Sequence, residues 1–287
     1  MYRSLLFIPG NNERFLVKST SLKPDILCFD LEDSVPSNDK QVARKLVAEH
    51  LASRQEDKES SIYVRINSVD SGLVEEDLDK IIVNGLDGVV LPKINNSQEV
   101  IEISDKIEAL VSKRGISSRI RIIPSIETAK GVINANSIAL AHENVVALVF
   151  GVFDYLYDMN IDVEYDDGIS YYYARSKIPV DAKAAGIEAL DGIWQEVNDI
   201  DGLIKDATNA RKLGYSGKTL IHPSHIIPVH DIFRPTKKQI EWAEKVLAAL
   251  QDAFEKGNTK GAILLDGKMI DAVHYKQAKS VIKAAKQ

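Results

Sequence analysis

The sequence predicts a (β/α)8 TIM barrel with a C-terminal hairpin-helix extension, and three observations predict it. Short runs rich in Val, Ile and Leu recur about eight times along the 287 residues. Each is followed by a longer stretch with helical apolar spacing, and strand-then-helix repetition of this kind is the pattern of a parallel barrel. No Gly-x-Gly-x-x-Gly follows the first run, which weakens an open dinucleotide-binding sheet.

In chain order the strand candidates are SLLFIP from Ser4, DILCFDL from Asp25, SIYVRI from Ser61 and GVVLP from Gly88. They continue with RIIPSI from Arg121, VVALVF from Val145, EALDGIW from Glu188 and KTLIHP from Lys218. Their near-continuous apolar character is that of strands buried on both faces. Helices are expected between them, over 11–22, 38–54, 71–84, 97–113, 128–140, 168–186, 199–213 and 236–256. In the last, Ile240, Ala243, Val246 and Leu247 share one face. GAILLDGKMID then reads as two short strands about an Asp-Gly turn, with a final helix over 272–285. This tail is surplus to a barrel. The expected division is a catalytic barrel over 1–256 and a lid or oligomer contact over 257–287.

Composition excludes several classes. Hydrophobic content of 45% and charged content of 27% are ordinary globular values. The net charge is −6 and the cations are spread along the chain, so no nucleic-acid partner is expected. No run reaches the roughly 18 apolar residues of a membrane span. Cys28 is the single cysteine; it lies in the apolar run DILCF and reads as a buried core thiol. With no intrachain disulfide and too short an N-terminal apolar run for a signal peptide, a cytoplasmic location is expected.

Barrel active sites gather at the C-terminal ends of the strands. There the sequence places Asp30, Glu32 and Asp33, then Arg65 and Asn67, Lys93, Glu127, Asp154 and His222. Any one of these suits a solvated strand end, but together they make a polar ring around one mouth. Glu127 and Asp154 come from adjacent strands and can share a hard cation. Two carboxylates with room for water and substrate oxygens suit Mg²⁺ better than Zn²⁺. Arg65 can fork onto a carboxylate or onto an oxygen gaining charge. Cation plus Arg suits making or breaking a C–C bond beside a carbonyl. By contrast His222, His225 and His230 resemble a zinc spacing only superficially, because Pro223 and Pro228 limit wrapping. Tyr171, Tyr172 and Tyr173 read as helix packing, and Trp194 as pocket lining or as core or rim packing.

At these residues the chain resembles the citrate lyase beta-subunit family, within the HpcH/HpaI aldolase superfamily. The resemblance rests on RSLLFIPGNNERFLVKS, DLEDSVP with Lys40 and Ala43-Arg44, YVRIN, LPKI and PSIET. It continues through FGVFD, YARSKI, GYSGKTLIHPS and DGKMID, ordered over nearly the whole chain. It implies a metal-dependent barrel that cuts a β-hydroxy acyl thioester, such as malyl-CoA or citramalyl-CoA, into acetyl-CoA and a 2-keto acid. Glu127 and Asp154 match the Mg²⁺ ligands, Glu127 also lying against substrate. Arg65 matches the arginine on the keto-acid portion. Phe7 to Arg14, with Lys18, match the turn that holds the CoA carrier; Lys40, Ile221 and His222 match further carrier contacts. Asp271 matches a lid carboxylate that serves a neighbouring subunit as acid or base, which implies a homotrimer or hexamer. Asp30, Glu32 and Asp33 would support Arg65 and the cation's water shell.

Three positions depart from the family pattern. Phe153 replaces an acidic residue, His225 a glutamine and Val273 a proline, all at the rim of the site. Alternatives remain: a citrate lyase beta subunit acting on citryl held by an acyl carrier protein, an aldolase of free hydroxy-keto acids, and a non-catalytic thioester-binding subunit.

Overall fold

The computed structural model describes residues 1–54, 60–162, 168–255 and 261–285. Each of the eight expected runs carries a strand: β1 (Ser4–Pro9), β2 (Ile26–Asp30), β3 (Ser61–Arg65), β4 (Gly88–Leu91), β5 (Arg121–Ile126), β6 (Ala147–Phe150), β7 (Glu188–Asp191) and β8 (Gly217–Leu220). They are parallel and pair in chain order, and β1 pairs with β8 to close the ring. Alternate side chains point inwards, where Leu5, Ile26, Cys28, Tyr63, Val90, Ile123, Val149 and Leu190 form one buried cluster. Cys28 is fully buried, as its apolar run predicts. The intervening residues face the helices, which is why these strands read as continuous apolar runs rather than alternating ones.

The helices are α1 (Glu13–Ser19), α2 (Lys40–Ala52), α3 (Val74–Ile81), α4 (Ser97–Arg114), α5 (Ala129–Ala139), α6 (Val152–Asp158), α7 (Tyr172–Ala184), α8 (Ile200–Leu213), α9 (Ile226–Phe233), α10 (Lys237–Glu255) and α11 (Ala272–Ala285). Local chemistry sets many of their ends. Asn12, Asn96, Thr128 and Asp199 each accept an early backbone N–H of the helix they precede. α4 and α8 stop at Gly115 and Gly214, both left-handed. α6 and α9 fall outside the expected helices; at 7 and 8 residues they are too short to show a periodicity.

The described residues form two compact units, Tyr2–His230 and Asp231–Gln287, the latter with Met1. The expected boundary at 256/257 lies outside the described residues. α10, expected as the eighth barrel helix, groups with the tail because its apolar face packs there. Ala243, Val246 and Leu250 of α10 are buried with Ile270 and with Ala278 of α11. Between them the expected hairpin forms from β9 (Ala262–Leu265) and β10 (Lys268–Asp271), antiparallel. Its turn residues Asp266 and Gly267 have φ of 48° and 77°, the doubly left-handed geometry that Asp-Gly favours. Among the described residues no helix is long and apolar enough to cross a membrane.

Candidate active site

Parallel register aligns the first ion pair. Asp30 ends β2, Arg65 ends β3, and the two residues are register partners. Arg65 Nε and Nη2 donate to the two Asp30 oxygens at 2.7 Å each. Asp30 also accepts from the backbone N–H groups of Glu32 and Ser34, at 2.9 and 3.0 Å, which fixes the turn after β2. Burial works to raise the Asp30 pKa, but the Arg65 charge and these hydrogen bonds outweigh it and hold the carboxyl below its ordinary value. The Arg65 guanidinium stacks on Phe7, 4.6 Å from the ring centre. Its Nη1 also lies 3.2 Å from Glu32 Oε2, an ion-pair distance without hydrogen-bond geometry. That buried oxygen has no hydrogen-bond partner.

Lys93 joins the remaining carboxylates. It follows β4 in a left-handed conformation, φ 54°, which costs a residue with a Cβ some strain. Its backbone N–H donates to Glu127 Oε2 at 3.2 Å. Its ammonium lies 2.8 Å from Glu32 and 3.3 Å from both Asp33 and Asp154. Burial works against the Lys93 charge, but the Glu32 hydrogen bond and the surrounding carboxylates raise its pKa.

Glu127 follows β5 and is fully enclosed. Gly151, which follows β6, makes room for it: a Cβ there would lie 2.3 Å from Glu127 Cγ. Burial first, then Asp154 and Glu32, push the Glu127 carboxyl up to about 8 against the opposing pull of Arg65 and Lys93. Asp154 follows β6 through Gly151–Phe153 and lies in the first turn of α6, which Gly151 opens. The donor set fits a hard divalent cation. Burial and the neighbouring carboxylates raise the Glu127 pKa, a cost that a cation would relieve, and Glu32 carries an orphaned buried oxygen. Among the described residues no three His, Cys, Asp or Glu converge as a closed metal site.

The mouth thus gathers Phe7, Asp30, Glu32, Asp33, Arg65, Glu127 and Asp154. Arg14 and Lys18 are exposed on α1, and Ile221 and His222 are exposed after β8, the strand next to β1. Lys40 gives its ammonium to the carbonyls of Leu31 and Glu32 at 2.6 and 2.7 Å, bracing the β2 turn, with one N–H left over. Asp271 ends β10 in the C-terminal unit and caps α11. The three histidines diverge: His222 bonds Ser224, buried His225 meets the Val197 carbonyl, and His230 meets Ser4.

A second ionic cluster escaped sequence reading. Asp191 of β7 and Lys218 of β8 face the helix layer, where they meet Arg175 of α7 and Asp206 of α8. Arg175 forks onto Asp191 at 2.9 and 2.7 Å and reaches Asp206 at 2.7 Å, while Lys218 lies 2.6 Å from Asp191 and 2.5 Å from Asp206. Pro179 inside α7 leaves the Arg175 carbonyl without its helical N–H, and the Tyr215 hydroxyl donates to it at 2.8 Å. The cluster floors a cavity of about 350 Å³ that Phe153 and Trp194 also line. Leu190 points into the barrel core, so its neighbour Asp191 and this cavity lie outside the ring. YARSKI and the lysine of KTLIHP were the available signal, but nothing local pairs them.

Residues 3–223 match the family described as HpcH/HpaI aldolase/citrate lyase. The chain belongs to that family. As a member of it, the protein is 35% identical over 285 residues to the citrate lyase subunit beta of Haemophilus influenzae, covering 99% of this chain and 97% of that one. It is 34% identical over 293 residues to the mitochondrial citramalyl-CoA lyase of Rattus norvegicus, covering 99% and 86%. Its barrel is also that of the protein CitE from Mycobacterium tuberculosis, solved in complex with magnesium, acetoacetate and coenzyme A. The TM-score is 0.78 at 25% identity, over 100% of this chain and 98% of that one.

Proposed function

We propose that this family member is a Mg²⁺-dependent carbon–carbon lyase that cleaves, or in reverse forms, a β-hydroxy acyl-CoA such as citramalyl-CoA or malyl-CoA, yielding acetyl-CoA and a 2-keto acid. The observation that carries the reading is Glu127: an enclosed carboxyl beside Asp154, with Arg65 anchored across the same mouth. Glu127 and Asp154 would hold the cation, which supplies Lewis-acid polarisation of the acid half's oxygens. Arg65, fixed by Asp30 and Phe7, presents a charged guanidinium to the oxygen that becomes the keto group. Asp30, Glu32 and Asp33 keep that arginine and Lys93 in place. Breaking the Cα–Cβ bond leaves an acyl thioester enolate; the proton its carbon gains balances the one the hydroxyl loses. Asp271, from the C-terminal unit of a second copy, is the proton donor in this reading, which calls for a homotrimer or hexamer. Phe7, Arg14, Lys18, Lys40, Ile221 and His222 serve the CoA carrier, and a cytoplasmic location belongs to the same reading.

The test is keto-acid release from a panel of malyl-, citramalyl- and citryl-CoA with Mg²⁺. Release from at least one thioester, abolished by chelator and by Asp154→Asn, is expected. Turnover that survives chelation sinks the metal assignment. The likeness to a citrate lyase subunit beta favours one second reading, citryl cleavage on an acyl carrier protein. Release from carrier-bound citryl but from no CoA thioester would establish it.

A further inference from the structure

Asp271 carries a partner that the proposed reaction does not use. Its Oδ1 accepts the backbone N–H groups of Val273 and His274 at 2.9 and 3.3 Å, capping α11. Nδ1 of His274 lies 2.8 Å from the same Oδ1 and 3.2 Å from the backbone N of Asp271. The two ring contacts need opposite states of one nitrogen. A lone pair on Nδ1 accepts from the Asp271 amide, whereas Nδ1–H donates to the carboxylate. Three contacts converge on Oδ1, and among the described residues none falls on Oδ2.

The surroundings add little charge. Across a cavity of about 200 Å³, α10 faces His274 with Gln239, Trp242, Ala243 and Val246, and α11 adds Gln277, Ala278 and Val281. On β10, Lys268 places its ammonium 5.1 Å from the Trp242 ring centre. Asp271 is the charged group that meets the imidazole. The His274 side chain, then the α11 amides, hold the Asp271 carboxyl below its ordinary range.

We propose that His274 is a positioning residue for Asp271: ring and first-turn amides grip Oδ1 and leave Oδ2 as the oxygen that exchanges a proton with substrate. The inference rests on the lyase reading and on the part Asp271 has in it. As imidazolium, His274 donates to Oδ1 and favours the carboxylate, the base that removes a proton from the acyl carbon. Once neutral, the ring turns its lone pair to the Asp271 amide. Oδ1 loses a donor, and the carboxyl is better able to hold the proton that Oδ2 delivers to the enolate carbon.

The experiment measures kcat and KM against pH for the full-length protein and for H274A and H274N, using the thioester it cleaves. H274A is expected to lower kcat about tenfold near neutral pH, roughly 1.4 kcal/mol, with KM within about twofold. H274N, whose amide can serve the same two contacts, should restore most of the rate. A wild-type profile superimposable on that of H274A overturns the proposal, as does a parallel loss at every pH that H274N fails to rescue. A second readout needs no turnover. With 13Cγ-labelled aspartate, the Asp271 resonance, assigned by its absence in D271N, should titrate at higher pH in H274A. An unmoved midpoint overturns the pairing. A wild type that cleaves no thioester overturns the lyase reading and the catalytic part of this proposal, while an upward shift still upholds the pairing.

Discussion

The cluster between β7, β8, α7 and α8 and the cluster at the barrel mouth differ in how their charges balance. Arg175 and Lys218 meet Asp191 and Asp206, two charges against two, with the Arg175 carbonyl also satisfied by Tyr215. At the mouth, Arg65, Lys93 and the nearby Lys40 face five carboxylates, Asp30, Glu32, Asp33, Glu127 and Asp154, and a Glu32 oxygen has no hydrogen-bond partner. A closed, neutral network has nothing to gain from a ligand and serves to fix the helix layer. An open, electronegative one is completed by a cation from outside. Burial alone does not separate structure from function here; the unbalanced charge does.

The largest expected effect tests the open cluster. Glu127→Gln should reduce Mg²⁺-dependent keto-acid release by more than about a thousandfold. It should also stabilise the metal-free protein at alkaline pH. Because the folded Glu127 pKa is raised to about 8, the metal-free protein loses stability as pH rises from the ordinary carboxylate value of 4.5 towards that point. Melting curves in chelator should therefore separate the two proteins at pH 8 and converge near pH 4.5. Separation at the acidic end instead would mean that the Glu127 carboxylate is stabilised in the fold.

Breaking the closed cluster should cost stability without touching the metal. Lys218→Met leaves two buried carboxylates sharing one arginine, a loss of about 3–5 kcal/mol by urea titration. Mg²⁺ affinity should be unchanged by calorimetry, and a changed affinity would join the two clusters. A smaller effect is expected of Gly151→Ala, whose Cβ must displace Glu127. Mg²⁺ binding should weaken about tenfold to a hundredfold, roughly 1.4–2.7 kcal/mol. Wild-type affinity would show that Glu127 is no ligand. Asp33→Asn should matter least: its side chain is 55% exposed, and such pairs with lysine contribute at most about 1 kcal/mol. A large loss of stability or affinity there would move Asp33 from support to ligand.

The fold was legible because each strand is a short continuous apolar run, and a parallel barrel asks for nothing more at that scale. α6 and α9 were not, since seven or eight residues span about two turns. The residues of the mouth were also legible, as charges where an apolar strand has no packing use for them. Lys93 illustrates the limit. Its charge was visible, but its left-handed backbone and its reach to Glu32, Asp33 and Asp154 depend on two other strand ends, those of β2 and β6. Arg175 and Lys218 were invisible as a pair, because 43 residues separate them and only packing of α7 and α8 against the sheet brings them together.

Sequence by itself determined the alternation, the hairpin at Asp266-Gly267, the caps and the inventory of polar strand ends, since all follow from local backbone preference and side-chain period. Only the tertiary structure decided which charges are balanced and which are not. Charge balance in a low-dielectric interior is a property of neighbours in space, and closing the barrel chooses those neighbours.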